Sequence, residues 1–190
     1  MSSDAELIGR SLSGDTRAFV EVVNRHEAAI GDYLARRAGR QAAEDLLGEV
    51  WVAAYEARAG YDRSHPEARP WLFGVALNRL RRHWRGGPAA EPAADLTPAV
   101  SDWDPWPEVD TRVDTQALLR RALARLKPDE REVLSLVAWE DLTVAEAGRV
   151  LDLPAGTARR LLHQARKALR DAPEVTALLD VPTTEKTTHG

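Results

Sequence analysis

Apolar residues along this chain recur at intervals of three and four rather than in alternation. They do so in eight stretches, near residues 4–13, 16–38, 42–59, 70–85, 113–126, 129–139, 144–151 and 155–171. Each predicts an amphipathic helix. No alternating run of β-branched residues sits between turn clusters, so strands are not expected. In 42–59, Leu47, Val50, Trp51 and Ala54 follow the i, i+3, i+4, i+7 spacing of a buried stripe, with Asp45, Glu49 and Glu56 opposite. In 70–85, Phe73, Ala76, Leu77, Leu80 and Trp84 make the apolar face. Trp71, Val75, Asn78, Arg82 and Arg85 fall on a separate stripe, flanked by Arg79.

Short breaks at Gly14-Asp15, Gly39-Arg40 and the polar stretch 60–69 separate the first four helices. The long break is GGPAAEPAADLTPAVSDWDPWPEVDT (86–111), which holds five of the eleven prolines behind a Gly-Gly entry. That composition predicts an extended, self-repelling linker. The expected organisation is all-α: a helical domain over 1–85, a flexible acidic linker over 86–112, a second helical domain over 113–172, and a disordered tail over 173–190.

The second domain carries helix signals that agree with one another. Thr143 and Glu146 form a capping box, and Pro128, Asp129 and Glu130 make a favourable first turn. Only DLP lies between the last two helices, with Pro154 suited to the first position of the new one. Two short helices joined by so tight a turn follow the helix-turn-helix plan.

The last helix sharpens this. At about 100° per residue, Arg159, Arg160, His163, Gln164, Arg166, Lys167 and Arg170 share one side, while Ala158, Leu161, Leu162, Ala165, Ala168 and Leu169 share the other. A solvated helix face ordinarily mixes Glu with Lys, and this face holds no acid. Arg and Gln can read guanine and adenine edges in a major groove, while Lys and His suit phosphates. The residues favour DNA docking over a merely solvated face.

The net charge of −4 over 190 residues argues against a nucleic-acid partner until it is divided along the chain. Residues 1–85 hold 13 Lys/Arg and 12 Asp/Glu; residues 86–115 hold one against seven; residues 116–172 hold 11 against eight; and the tail holds one against three. The acidity belongs to the linker and the tail. The absence of cysteine removes disulfides, thiolate metal sites and thiol catalysis. With no secretory signal and no apolar run of membrane-spanning length, a cytoplasmic location and no membrane partner are expected.

On the residues alone, two features stay open. The acidic face of 42–59 reads as solvated, with a basic docking partner as the alternative. The Trp71/Asn78/Arg stripe suits base stacking, edge reading and phosphate contact, and equally suits a core-capping Trp with solvated arginines.

Three segments then resemble a known family. AEDLLGEVW (43–51), RPWLFGVALNRLRRHWR (69–85) and LARLKPDEREVLSLVAWEDLTVAEAGRVLDLPAGTARRLLHQARKAL (123–169) look like the two domains of bacterial ECF (extracytoplasmic-function) sigma factors, in order and spacing. The resemblance implies a dissociable specificity subunit of RNA polymerase. The helix matching 42–59, with Asp45, Glu49, Val52 and Glu56, would dock on the coiled coil of the largest core subunit. The loop 60–70 and the following helix, with Trp71, Asn78, Arg79, Arg82 and Arg85, would recognise and melt the −10 element and capture a flipped base, Asn78 standing at the family's base-reading asparagine. The helix-turn-helix would read duplex −35 DNA through Thr157, Arg159, Arg160, His163, Gln164, Arg166 and Lys167. An anti-sigma factor is a candidate further partner, and no cofactor or metal is implied.

The chain departs from the family pattern in two places. Ala158, Arg160 and Leu161 stand where the family usually has Val, Ser and Arg, which moves a cation by one residue and implies an altered −35 preference. Gly48 replaces a common Gln, at a cost in helix propensity of up to ~1 kcal/mol. The rival readings are a helix-turn-helix regulator that acts without polymerase and a helical interaction module that binds an anti-sigma factor. An enzyme is not expected: His26, His65, His83, His163 and His189 show no ligand spacing, and no phosphate-cradling loop appears.

Overall fold

The computed structural model describes residues 2–86, 113–173 and 175. The expected linker, from 87, and nearly all of the expected tail lie outside the described residues. Every regular element among those described is helical.

The first four helices are α1 (Asp4–Leu12), α2 (Thr16–Ala38), α3 (Arg40–Ala57) and α4 (Arg69–Gly86), with a 3₁₀ turn at Arg58–Gly60. Local chemistry sets their starts. Ser3 Oγ accepts the Glu6 N–H at 3.2 Å, and Glu6 Oε2 accepts the Ser3 N–H at 3.0 Å, closing a capping box on α1. Asp15 caps α2 through the Ala18 N–H and pairs with Arg10 at 2.6 Å. Gly39, at φ 80°, ends α2 and starts α3 at once. For that reason α3 begins two residues before the expected 42. Leu7, Ile8, Val22, Ile30, Tyr33, Leu34, Val50, Leu72, Phe73 and Leu80 are wholly buried between the four helices. Tyr33 and Phe73 meet edge to face, centroids 5.1 Å apart.

In α3 the buried face is Ala43, Leu46, Val50, Ala53 and Ala54, and the expected Leu47 and Trp51 are half-buried at its edge. The buried stripe is rotated from the expected one, with Ala43, Leu46, Val50 and Ala54 in the core shared with α2 and α4.

The remaining helices are α5 (Val113–Ala124), α6 (Pro128–Ala138), α7 (Val144–Val150) and α8 (Ala155–Arg170). Leu123, Leu126, Val133, Leu134, Leu161, Leu162 and Ala165 form their core. Two expectations are corrected here. α8 starts at Ala155, as its apolar period predicts, but Pro154 is its N-cap, with a ψ of 140° still extended, rather than its first helical residue. Ala168, assigned to the apolar face, is exposed, although Leu169 beside it packs on the cluster.

The two halves pack on each other. Leu136, Leu142, Ala147 and Val150 are buried in the core built by α1–α4. Charge frames this contact. Arg36 Nη2 donates to both oxygens of Glu140 at 2.7 Å. Arg37, over the Tyr33 ring, donates to Glu132 Oε1 at 2.6 Å and Ser135 Oγ at 2.8 Å. Arg69 donates to the Glu140 carbonyl at 3.0 Å. The Glu140 side chain is 3% exposed. Burial pushes its carboxyl up by more than Arg36, Arg37 and Arg69 pull it down. Desolvation thus offsets part of the attraction in these ion pairs, so they add orientation more than strength to the apolar packing.

Reversing the charge at this point should part the halves. In Glu140→Lys, an ammonium meets three guanidinium groups, each close pair costing about 4 kcal/mol at an effective dielectric near 20. The radius of gyration from small-angle scattering should rise while helical circular dichroism is kept; an unchanged radius would refute the clamp.

Candidate nucleic-acid and polymerase interface

Helix α8 is presented by its neighbours rather than by its own cap. α7 opens with the Thr143–Glu146 box, Glu146 Oε2 accepting the Thr143 N–H at 2.8 Å. The turn after it needs Asp152 at φ 57°, a left-handed conformation that Asp tolerates better than most residues. Gly148 lets α8 approach: a Cβ there would lie 3.0 Å from the Leu153 carbonyl oxygen and 3.2 Å from Ala158 Cβ. With the apolar side of α8 thus pinned, Arg159, Arg160, His163, Arg166 and Lys167 are exposed, and Thr157 and Gln164 are half-buried. Arg160 Nη1 donates to Gln164 Oε1 at 3.3 Å, so these two polar side chains one turn apart are held together.

The second cluster is built by α4 and the loop before it. Trp71 is half-buried, its ring 5.2 Å from Tyr61. The Tyr61 hydroxyl donates to the His65 carbonyl at 2.6 Å. Burial and the nearby carboxylates of Asp4, Asp62 and Glu67 push that hydroxyl up to about 12, so it remains a neutral donor. Tyr61, His65, Trp71 and Asn78 line a cavity of about 650 Å³. A second cavity, about 540 Å³, lies across α4 and is lined by Glu56, Asn78, Arg79 and Arg82. Asn78 borders both. Arg82 and Arg85 are exposed, and Arg85 donates to the Arg81 carbonyl at 3.1 Å.

On α3, Asp45, Glu49, Val52 and Glu56 are all exposed, Val52 to 60%. Glu56 faces the α4 cations across the second cavity, so it is shared between the two surfaces. Sequence reasoning missed Tyr55, an exposed aromatic held edge-on by Phe19 at 5.2 Å and covered by Arg58 at 3.6 Å. Its place three residues after Val52 was the available signal. Also missed was the reach of the helix-turn-helix into the first cavity. Arg149, Val150 and Asp152 line its far wall, and Arg149 Nη1 lies 2.8 Å from His65 Nε2. The cations of α8 are not brought to either cavity. No cluster of three metal-ligating side chains occurs among the described residues.

Residues 22–87 match the family description Sigma-70 region 2, and residues 122–171 match Sigma-70, region 4. The ECF RNA polymerase sigma factor SigM of Mycobacterium tuberculosis is 30% identical over 175 residues, covering 88% of this chain and 83% of that protein. The chain belongs to the ECF sigma factors. The RNA polymerase sigma factor CnrH of Cupriavidus metallidurans is 32% identical over 190 residues, covering 94% and 95% of the two chains. The solved structure of CnrH in complex with the cytosolic domain of CnrY superposes with a TM-score of 0.63 at 27% identity, covering 93% of this chain and 97% of that one. An ECF sigma factor directs core RNA polymerase to promoters, and two helical domains ending in a helix-turn-helix are the frame for that work.

The close approach at Gly148 makes a test of how α8 is held. Gly148→Val should destabilise the protein by about 1–3 kcal/mol, because the obstacle is backbone and cannot swing away. Urea unfolding measures this, and a loss below the experimental error would show that α7 and α8 can separate freely.

Proposed function

We propose that this ECF sigma factor reads the −35 element with α8 and captures a melted −10 base beside Trp71 and Asn78, while the exposed face of α3 docks on core polymerase. The observation that supports the first assignment best is the outward, acid-free face of α8. Arg159, Arg160, His163 and Gln164 would meet base edges, and Thr157, Arg166 and Lys167 would meet backbone or flanking positions. At α4, the aromatic wall supplies stacking for an extruded base, Asn78 supplies edge contacts, and Arg79, Arg82 and Arg85 supply phosphate contacts. On α3, the carboxylates Asp45, Glu49 and Glu56 around the apolar Val52 suit a basic surface with an apolar centre. The protein performs no covalent step in this reading, works in the cytoplasm with core polymerase, and needs no cofactor.

The closed arrangement bears on the order of events. Elements named for positions about 25 base pairs apart lie roughly 85 Å apart along B-form DNA. Here His65 and Arg149, on opposite halves, touch at 2.8 Å, so reading both elements at once requires the halves to part. The 27 residues from 86 to 112 can span about 90 Å when extended. CnrH was solved with the cytosolic domain of CnrY, and we extend to this chain a protein partner of that kind, an anti-sigma factor.

Co-elution of the chain with core enzyme on gel filtration is expected, and its absence would favour a regulator acting without polymerase. Within the complex, Arg159→Glu with Arg160→Glu should weaken −35 binding by tenfold or more and reduce the slope of log affinity against log salt by roughly the charges lost. Unchanged affinity and slope, measured by fluorescence anisotropy, would remove α8 from the interface. Trp71→Ala with Asn78→Ala should impair transcription from duplex promoters about tenfold more than from pre-melted ones, at a few kcal/mol per base extruded. Equal loss on both templates in an in vitro transcription assay would count against a melting role.

A further inference from the structure

Helix α4 begins without a cap of its own. The residue before it is Ala68, whose carbonyl accepts the Leu72 N–H at 2.9 Å; alanine has no side-chain oxygen to offer the helix end. A carboxylate from the far end of the domain serves instead. Asp4 Oδ2 accepts the Ala68 N–H at 2.9 Å and lies 2.7 Å from His26 Nε2, while Oδ1 accepts from Arg25 Nη1 at 3.1 Å. Asp4 is 4% exposed. Burial pushes its carboxyl up, but the bonds from His26, Ala68 and Arg25 outweigh that and keep it ionised.

The same corner holds the loop that precedes α4. The Ala5 N–H donates to the Pro66 carbonyl at 3.2 Å, and Arg25 Nη1 donates to the Ser2 carbonyl at 2.8 Å. A buried anion at the positive end of a helix is favourable in itself. This one also fixes where α4 starts, and α4 carries Trp71 in its first turn. The loop it holds carries Tyr61 and His65, which wall the cavity facing Asn78.

We propose that Asp4 is a positioning residue for −10 recognition: from α1 it caps α4 and pins the 61–68 loop, so the base-capturing cavity is formed before DNA arrives. The proposal rests on the −10 assignment above. Its physical content is preorganisation: a loop already ordered by Asp4 pays no ordering entropy when a base enters.

Holoenzyme assembled from core polymerase and wild type, Asp4→Asn, Asn78→Ala or the double variant separates the possibilities. The probes are a single strand carrying the −10 element of a promoter whose start site has been mapped, its scrambled counterpart, and the −35 duplex. Asp4→Asn should weaken −10 strand binding roughly tenfold, about one charge-assisted hydrogen bond, with core affinity and −35 binding kept within about twofold. The double variant should lose less than the product of the two single losses, because both act through one cavity. Unchanged −10 binding, equal loss on all three partners, or full additivity overturns the proposal. If Asp4→Asn does not fold, His26→Gln loosens the same carboxylate and is held to the same outcomes. A wild type that cannot tell the −10 strand from the scrambled one overturns the −10 assignment itself, a result distinct from wild-type discrimination that Asp4→Asn leaves intact.

Discussion

Two adjacent arginines at the end of α2 govern the shape of this sigma factor. Arg36 and Arg37 sit in the last helical turn, where cations complement the macrodipole, yet their partners are Glu140, Glu132 and Ser135 of the other half. Ion pairs of this kind have sharp geometry and add modest strength to the apolar packing around them. The guanidinium groups fix orientation through paired bonds, while the cost of burying Glu140 keeps the total close to balance. The proposed reading of both promoter elements at once needs a change of domain spacing, which such a joint permits. Leu136, Leu142, Ala147 and Val150 bury apolar surface at the same joint, and exposed ion pairs would leave its orientation undefined.

That joint also distributes the two proposed recognition surfaces unequally. The cationic face of α8 stays open to solvent while the halves are together. The cavity beside Trp71 and Asn78 is walled by Arg149 and Asp152 from the opposite half. Duplex −35 DNA could therefore meet α8 without rearrangement, whereas a −10 base must wait for the helix-turn-helix to move away. Such an order suits the energetics. Contacts with a duplex need no distortion of the DNA, but extrusion of a base costs a few kcal/mol and is better placed after docking.

Much of this was readable in the sequence, because much of it is local. Capping boxes at Thr143 and the periodic apolar stripes fixed the helices within two residues, and the wheel of α8 separated its faces correctly except at Ala168. Non-local features were invisible for a definite reason. Asp4 meets His26 and Ala68 across 22 and 64 residues, and Arg36 meets Glu140 across 104. No periodicity links such pairs; they exist only once the helices have packed. Nothing within α7 signals the contact of Arg149 with His65, which comes from a loop 84 residues earlier. The Trp71 stripe was divided evenly between core and interface, and the structure gives the reason: Trp71 is half-buried and serves as wall to a cavity.

The inverted pair Arg160-Leu161 can now be read physically. Leu161 is 8% exposed and belongs to the core of the second half with Leu162 and Ala165. An arginine there would have to snorkel out past that cluster or leave its charge beside it. Shifting the cation to 160 moves it about 100° around the helix, onto the exposed face, where it bonds Gln164. The change therefore relocates a charge from the flank of the helix to the centre of the proposed reading surface. It also ties that charge to an amide one turn later, which lowers the rotamer entropy both side chains would lose on binding. Gains of this kind come from side chains already held in place, so they favour base pairs that can accept both groups together. The −35 preference of this protein should accordingly depend on two neighbouring base pairs jointly, more than on either alone.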